Sequence, residues 1–152
     1  MPTHAEQRPM PYTREQLFDL VADIERYPEF LPWVTAARIN KRDGDVLWAD
    51  LVVGFKMIRE RYTSRVELSR PERVDVTYEK GPFRYLNNHW VFIPRDDGST
   101  VIDFYLDFEF KSKMLQRIMG SVFSEAVRLM VHSFEKRAQE VYGPDGRVSA
   151  EG

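Results

Sequence analysis

The sequence has no cysteine, which removes disulfides, zinc ribbons and thiol nucleophiles together and fits a reducing compartment. Its three histidines are His4, His89 and His132, and none sits at the spacing of a metal site or a catalytic triad. No run approaches the roughly 18 apolar residues of a membrane-spanning helix, and Met1 to Pro11 hold no apolar segment of signal-peptide length. The expected location is the cytoplasm, with any membrane contact peripheral to the inner membrane. Positive charge is not in excess either: 22 Lys and Arg against 24 Asp and Glu give a net charge of -2. A domain that binds nucleic acid through its surface field carries a basic footprint, so DNA is not an expected partner.

Aromatic side chains are plentiful in these 152 residues: 10 Phe, 7 Tyr and 3 Trp. The length suits one domain. Because each large ring buries roughly 150–250 Å², the core is large or is wrapped around something.

Near the start, a brief strand is expected at His4–Met10. Thr13 and Gln16 form a capping box, followed by the helical stripe Leu17, Phe18, Leu20, Val21 and Ile24. Pro28 ends that helix and opens a second short one, Tyr27–Leu31, which Pro32 stops. From Val34 the period becomes two. Val34–Lys41 and Val46–Val53 flank the turn at residues 42–45. Gly54 marks a bend before a long strand, Phe55–Leu68. Strands around Val74–Glu79, Leu86–Pro94 and Ile102–Phe110 follow. In the last, Ile102, Phe104, Leu106, Phe108 and Phe110 alternate with polar residues, as in an antiparallel sheet with one buried face.

Beyond Ser112 the pattern is helical to about Tyr142, with Leu115, Ile118, Met119, Val122, Ala126, Met130, Phe134, Ala138 and Val141 on one stripe. Thirty helical residues span about 45 Å, enough to cross the whole sheet. The order is strand, two short helices, six strands and one long helix. That is an α+β fold in which a curved antiparallel sheet wraps a long C-terminal helix. Residues 1–143 make a single domain, and 144–152 read as a disordered tail.

Several segments carry a family resemblance: Pro11–Trp33 (PYTREQLFDLVADIERYPEFLPW), Tyr62–Val66 (YTSRV), Gly81–Phe83 leading to Trp90, Asp107–Phe110 (DFEF) and Phe134–Ala138 (FEKRA). Together they resemble the coenzyme Q-binding START-domain family, within the helix-grip superfamily of polyketide cyclases and lipid-transport proteins. The resemblance implies a cavity between sheet and long helix that holds ubiquinone or another prenyl lipid, without catalysis and in support of respiratory electron transfer. It implies no cofactor beyond ubiquinone as bound ligand. It places that ligand against Tyr62, Val76, Tyr78, Trp90, Phe92, Phe104, Leu106 and Phe108 of the sheet. Met119, Val122, Phe123, Ala126 and Met130 of the helix face it, and Phe30, Leu31 and Trp33 form a lid. The family also includes ribosome-association toxins that inhibit translation, so the ribosome is the alternative partner; a polyketide aromatase or cyclase is the third reading.

Other features read as scaffold. The row Arg59, Arg61 and Arg65 suits RNA or lipid phosphates but also an ordinary solvated sheet face. Lys111, Lys113 and Arg117 oppose the dipole of the long helix and suit an anionic surface. Asp103, Asp107 and Glu109 pair like catalytic carboxylates but lie on the outward face of their strand. Asn87 and Asn88 are polar for the approach to Trp90, where a glycine-containing turn is expected. With no acid–base constellation at hand, no enzyme is expected.

Overall fold

The computed structural model describes residues 3–55 and 58–143. Seven strands form one antiparallel sheet: β1 (Thr3–Met10), β2 (Val34–Asp43), β3 (Val46–Phe55), β4 (Ile58–Ser69), β5 (Arg73–Lys80), β6 (Phe83–Pro94) and β7 (Thr100–Phe110). Their spatial order is β1-β7-β6-β5-β4-β3-β2. Strands adjacent in sequence are therefore neighbours except at one place. β1 and β2 lie on opposite edges, joined by helix α1 (Arg14–Ala22) and a short 3-10 helix (Ile24–Glu29). Helix α2 (Lys113–Tyr142) packs on the inward face.

Local chemistry sets the helix ends. Thr13 Oγ1 accepts from the Gln16 amide at 3.2 Å while Gln16 Oε1 accepts from the Thr13 amide at 2.9 Å, completing the capping box. Ser112 caps α2 by accepting from the Leu115 amide at 3.2 Å. Gly143, with φ 86°, ends α2 in a conformation that suits glycine. The far end of α2 is tied to α1: Tyr12 donates to the Gly143 carbonyl and Tyr142 to that of Gln16.

The boundaries differ from expectation in three places. The second short helix begins at Ile24, not Tyr27, and holds Pro28 within it; the missing proline N–H deprives that turn of one bond, and the helix stops at Glu29. The long central strand begins at Ile58, because Phe55 belongs to β3 and pairs with Ile58 across a hairpin. Gly54 keeps ladder register opposite Arg59, so it is no break. β6 begins at Phe83, and Asn87 and Asn88 are regular ladder positions opposite Asp107 and Leu106. The stretch 144–152, read as a disordered tail, lies outside the described residues.

Gly81 answers a real constraint. Its φ is 144°, and a Cβ there would stand 2.7 Å from Tyr62 Cβ, so the β5–β6 turn can close onto β4 only without a side chain.

The core forms two clusters. In the larger, Trp90 meets Phe104 at 4.7 Å and Phe134 at 4.9 Å between ring centroids, joining sheet to helix. In the smaller, Phe83 is the hub, with Tyr62, Tyr78, Phe108 and Phe110 around it at 4.8–5.6 Å. Such pairs contribute about 0.5–1.5 kcal/mol each beyond the area they bury. Val141, expected on the buried stripe, is instead exposed in the last turn of α2.

Register makes a sharp prediction. Phe104 is 3% exposed and faces α2, whereas Tyr105 faces outward and stacks on His89. Phe104→Asp buries an unpaired charge and removes a ring whose loss alone costs about 3–5 kcal/mol; it is expected to abolish the cooperative thermal transition. Tyr105→Asp is expected to shift the midpoint by only a few degrees. The reverse order in circular-dichroism melts contradicts this register.

Candidate functional site: an apolar cavity between sheet and helix

The inward faces of β3 to β7, the 3-10 helix and the middle of α2 enclose a cavity of about 200 Å³. It is smaller than the roughly 300–1,000 Å³ typical of drug-sized ligand sites. A ring and a few chain carbons fit.

The cavity shows in the burial of the sheet itself. Val76, Asn88 and Leu106 pair successively across β5, β6 and β7 in the middle of the inward face. Their neighbours Val74, Trp90, Phe104 and Phe108 are buried, yet these three are only half-buried. They face open volume where packing would otherwise continue.

Of the residues expected at the site, Leu31, Trp33, Tyr62, Val76, Trp90, Phe104, Leu106, Phe108, Met119, Phe123, Ala126 and Met130 line this cavity. Four do not. Phe92 is buried under α1, its ring 6.0 Å from Phe18. Tyr78 packs edge-on against Phe83 and accepts from the Phe83 amide at 3.2 Å. Val122 is half-buried against the smaller core cluster. Phe30 lies against Phe134 and beneath the Arg137 guanidinium, 5.0 Å from its ring, and Tyr27 takes its place in the lining.

The sequence reading missed other lining residues: Leu51, Val53 and Phe55 of β3, Phe83, Leu86 and Asn88 of β6, Ser64 of β4, and Val127 and Phe134 of α2 among them. The signal for most was parity. Leu86 and Asn88 share the face of Trp90 by alternation, and Leu51 to Phe55 alternate with Val52 and Gly54.

Polar atoms are few and neutral. Among the described residues, no Asp, Glu, Lys, Arg or His lines the cavity. Tyr27 donates to the Val21 carbonyl. Burial in this lining pushes the Tyr27 and Tyr62 phenols up, Tyr62 to about 12, so both are neutral donors at physiological pH. Among the described residues, no group of three metal-ligating side chains could hold an ion. His4 bonds Glu6 at 2.8 Å, and His89 lies 3.9 Å from Asp103 on the outward face.

Outside the cavity, the outward face of the sheet is divided by charge. On β2 to β4 it carries Arg38, Lys41, Arg59, Arg61 and Arg65 around the half-buried Trp48, with Asp50 and the Arg65 partner Glu67 among them. Lys41 Nζ sits 4.8 Å, and the Arg65 guanidinium 6.0 Å, from the Trp48 ring. On β5 to β7 the same face carries Asp75, Asp103, Asp107 and Glu109. Among the described residues, no helix is long and apolar enough to cross a membrane.

Comparison with known proteins gives this geometry its family. The chain is 40% identical over 136 residues, 87% of its own length and 92% of the relative's, to a protein of Rickettsia prowazekii named ribosome association toxin RatA. It is 33% identical over 144 residues to the mitochondrial coenzyme Q-binding protein COQ10 homolog B of Xenopus laevis, covering 92% of this chain and 59% of that one. Among solved structures, an 18 kDa protein of Caulobacter crescentus superposes with a TM-score of 0.76 at 37% identity, over 94% of this chain and 99% of the other. The family model for polyketide cyclase / dehydrase and lipid transport matches residues 10–135, and the chain belongs to that family.

Proposed function

We propose that the chain binds a neutral hydrophobic ligand of quinone type in this cavity, as a carrier or chaperone and not as an enzyme. The observation that carries the reading is the open volume itself. The middle of the inward face, where solid packing is the rule, is left open between two aromatic clusters and is lined almost wholly by apolar side chains. Met119 and Met130 contribute adaptable thioethers to the helix side. The coenzyme Q-binding name of the Xenopus relative supports the choice of quinone, and with it a role beside respiratory electron transfer at the inner membrane surface. Exposed Lys111 and Lys113 flanking the start of α2, with Met114 exposed nearby, suit contact with anionic headgroups.

Organic extraction of protein purified from a ubiquinone-producing host is expected to release ubiquinone at a substantial fraction of the protein concentration by mass spectrometry. Ala126 tests the site. Its side chain faces the cavity from mid-helix, so a phenylalanine there enters open space. Ala126→Phe is expected to melt close to the ligand-free parent and to lose quinone binding. A solid core would be overpacked by about 1–3 kcal/mol, and a correspondingly lower melting point contradicts the cavity.

A second reading is ribosome association. The basic strip around Trp48 favours it, since guanidinium groups beside a half-buried ring suit RNA phosphates and bases, and so does the name of the Rickettsia relative. If this strip binds RNA, the protein co-sediments with ribosomal subunits, and the fraction bound falls steeply with salt. Arg59→Ala, Arg61→Ala and Arg65→Ala together then abolish co-sedimentation while leaving extracted lipid unchanged. The quinone-carrier reading expects no co-sedimentation at physiological salt.

A further inference from the structure

Three side chains bring unused hydrogen-bonding capacity to the cavity. Asn88 Nδ2 donates to the Tyr105 carbonyl at 2.8 Å, and Asn88 Oδ1 accepts from Trp90 Nε1 at 3.1 Å. A carboxamide has two N–H groups and an oxygen with two lone pairs, so one donor and one acceptor site remain. Ser64 is 1% exposed and lines the cavity. Neither its hydroxyl nor that of Tyr62 has a hydrogen-bond partner among the described residues. Among the described residues no fully enclosed side-chain nitrogen or oxygen is left without one, so neither hydroxyl is fully enclosed, and both residues line the cavity. An unmet hydroxyl in an apolar enclosure is unfavourable unless something fills the space.

Their placement is as informative as their number. Tyr62 and Ser64 lie on β4 and Asn88 on β6; Val76 of β5 stands between Asn88 and Val66, so Ser64 and Tyr62 lie further along β4, on the side of Tyr78. Two strand spacings set β4 and β6 about 10 Å apart, the offset along β4 adds to this, and the polar points meet one ligand only through side chains that reach into the cavity they line. The floor between them is apolar. With no carboxylate, ammonium, guanidinium or imidazole among the described lining residues, a charged head meets no counter-charge from them, which is strongly unfavourable.

We infer that the cavity selects a neutral ligand whose flat head carries oxygens at two opposite edges, one meeting Tyr62 and Ser64 and the other meeting Asn88. The inference rests on the cavity reading above. It adds that recognition is two-sided and that ionised lipids are rejected.

The test uses the full chain and three probes: a decyl-tailed benzoquinone, decylbenzene and decanoate, each measured by displacement of an environment-sensitive apolar dye. The parent protein is expected to prefer the quinone to decylbenzene and to bind decanoate far more weakly at neutral pH. The Tyr62→Phe, Ser64→Ala double variant removes only two hydroxyls and is expected to lower the quinone-to-decylbenzene affinity ratio about five- to tenfold. Asn88→Leu lowers the same ratio from the other side. If Asn88→Leu fails to fold by near-ultraviolet circular dichroism, Asn88→Asp serves instead, since it is expected to weaken the quinone further at high pH than at low pH. An unchanged ratio in the double variant, or decanoate competing as well as the quinone, overturns two-sided neutral recognition while leaving an apolar cavity in place. If neither the quinone nor decylbenzene displaces the dye, the cavity reading falls and this inference with it.

Discussion

A seven-stranded sheet that coils around a single helix has more inward surface than that helix can cover, and the rest of the structure follows from this mismatch. The helix presents one stripe. Only Met119, Val127, Phe134 and Ala138 of α2 are fully buried, whereas the facing strands contribute inward residues from every position of regular alternation. Aromatic rings take up part of the difference. Phe134 reaches Trp90 at one end, and Phe83 gathers Phe108 and Phe110 at the other. Between these clusters the side chains are shorter: Val76, Leu106 and Ala126 leave the space that larger residues would fill.

The same geometry assigns chemistry to the two faces of each strand. The described residues that line the cavity are neutral, and Asn88 among them is held by Trp90 and Tyr105, whereas on the edge strand β1 the charged Arg8 reaches Glu135 of α2. Outward residues are charged and mostly paired in short-range contacts, such as Arg73 with Asp75 at 2.7 Å and Arg84 with Glu109 at 3.1 Å. Exposed pairs of this kind contribute little to stability. Their effect is on the field outside, basic over β2 to β4 and acidic over β5 to β7. An apolar interior and a charged exterior can therefore vary independently on this fold.

Much of this was legible in the sequence because period and punctuation are local. The capping box at Thr13, the alternation of Ile102 to Phe110 and the stripe on α2 each follow from a rule about neighbouring residues, and each is present. Errors arose where the deciding contact was distant. Phe92 has the right parity for the cavity, but α1 covers that end of β6, and no feature of residues 86–94 reveals it. Phe30 lost its place to Tyr27 because the 3-10 helix begins earlier than Pro28 suggested. Asn88 looks out of place in its strand by sequence alone, since the carbonyl that holds it lies seventeen residues away. The charge division of the outer face was also hidden, because it requires knowing which strands lie side by side.

The strand order has a consequence for time as well as for shape. β1 and β2 are consecutive in the chain yet stand at opposite edges of the sheet, so the gap between them is spanned only by α1 and the 3-10 helix. That helix supplies Ile24 and Tyr27 to the cavity wall and is held to α2 by the Arg137–Glu29 contact at 2.8 Å. Parting this seam breaks side-chain contacts and a few loop hydrogen bonds while every strand ladder stays closed. Local openings of this sort lie far below the free energy of global unfolding. Opening of the cavity wall is thus set separately from the lifetime of the folded protein.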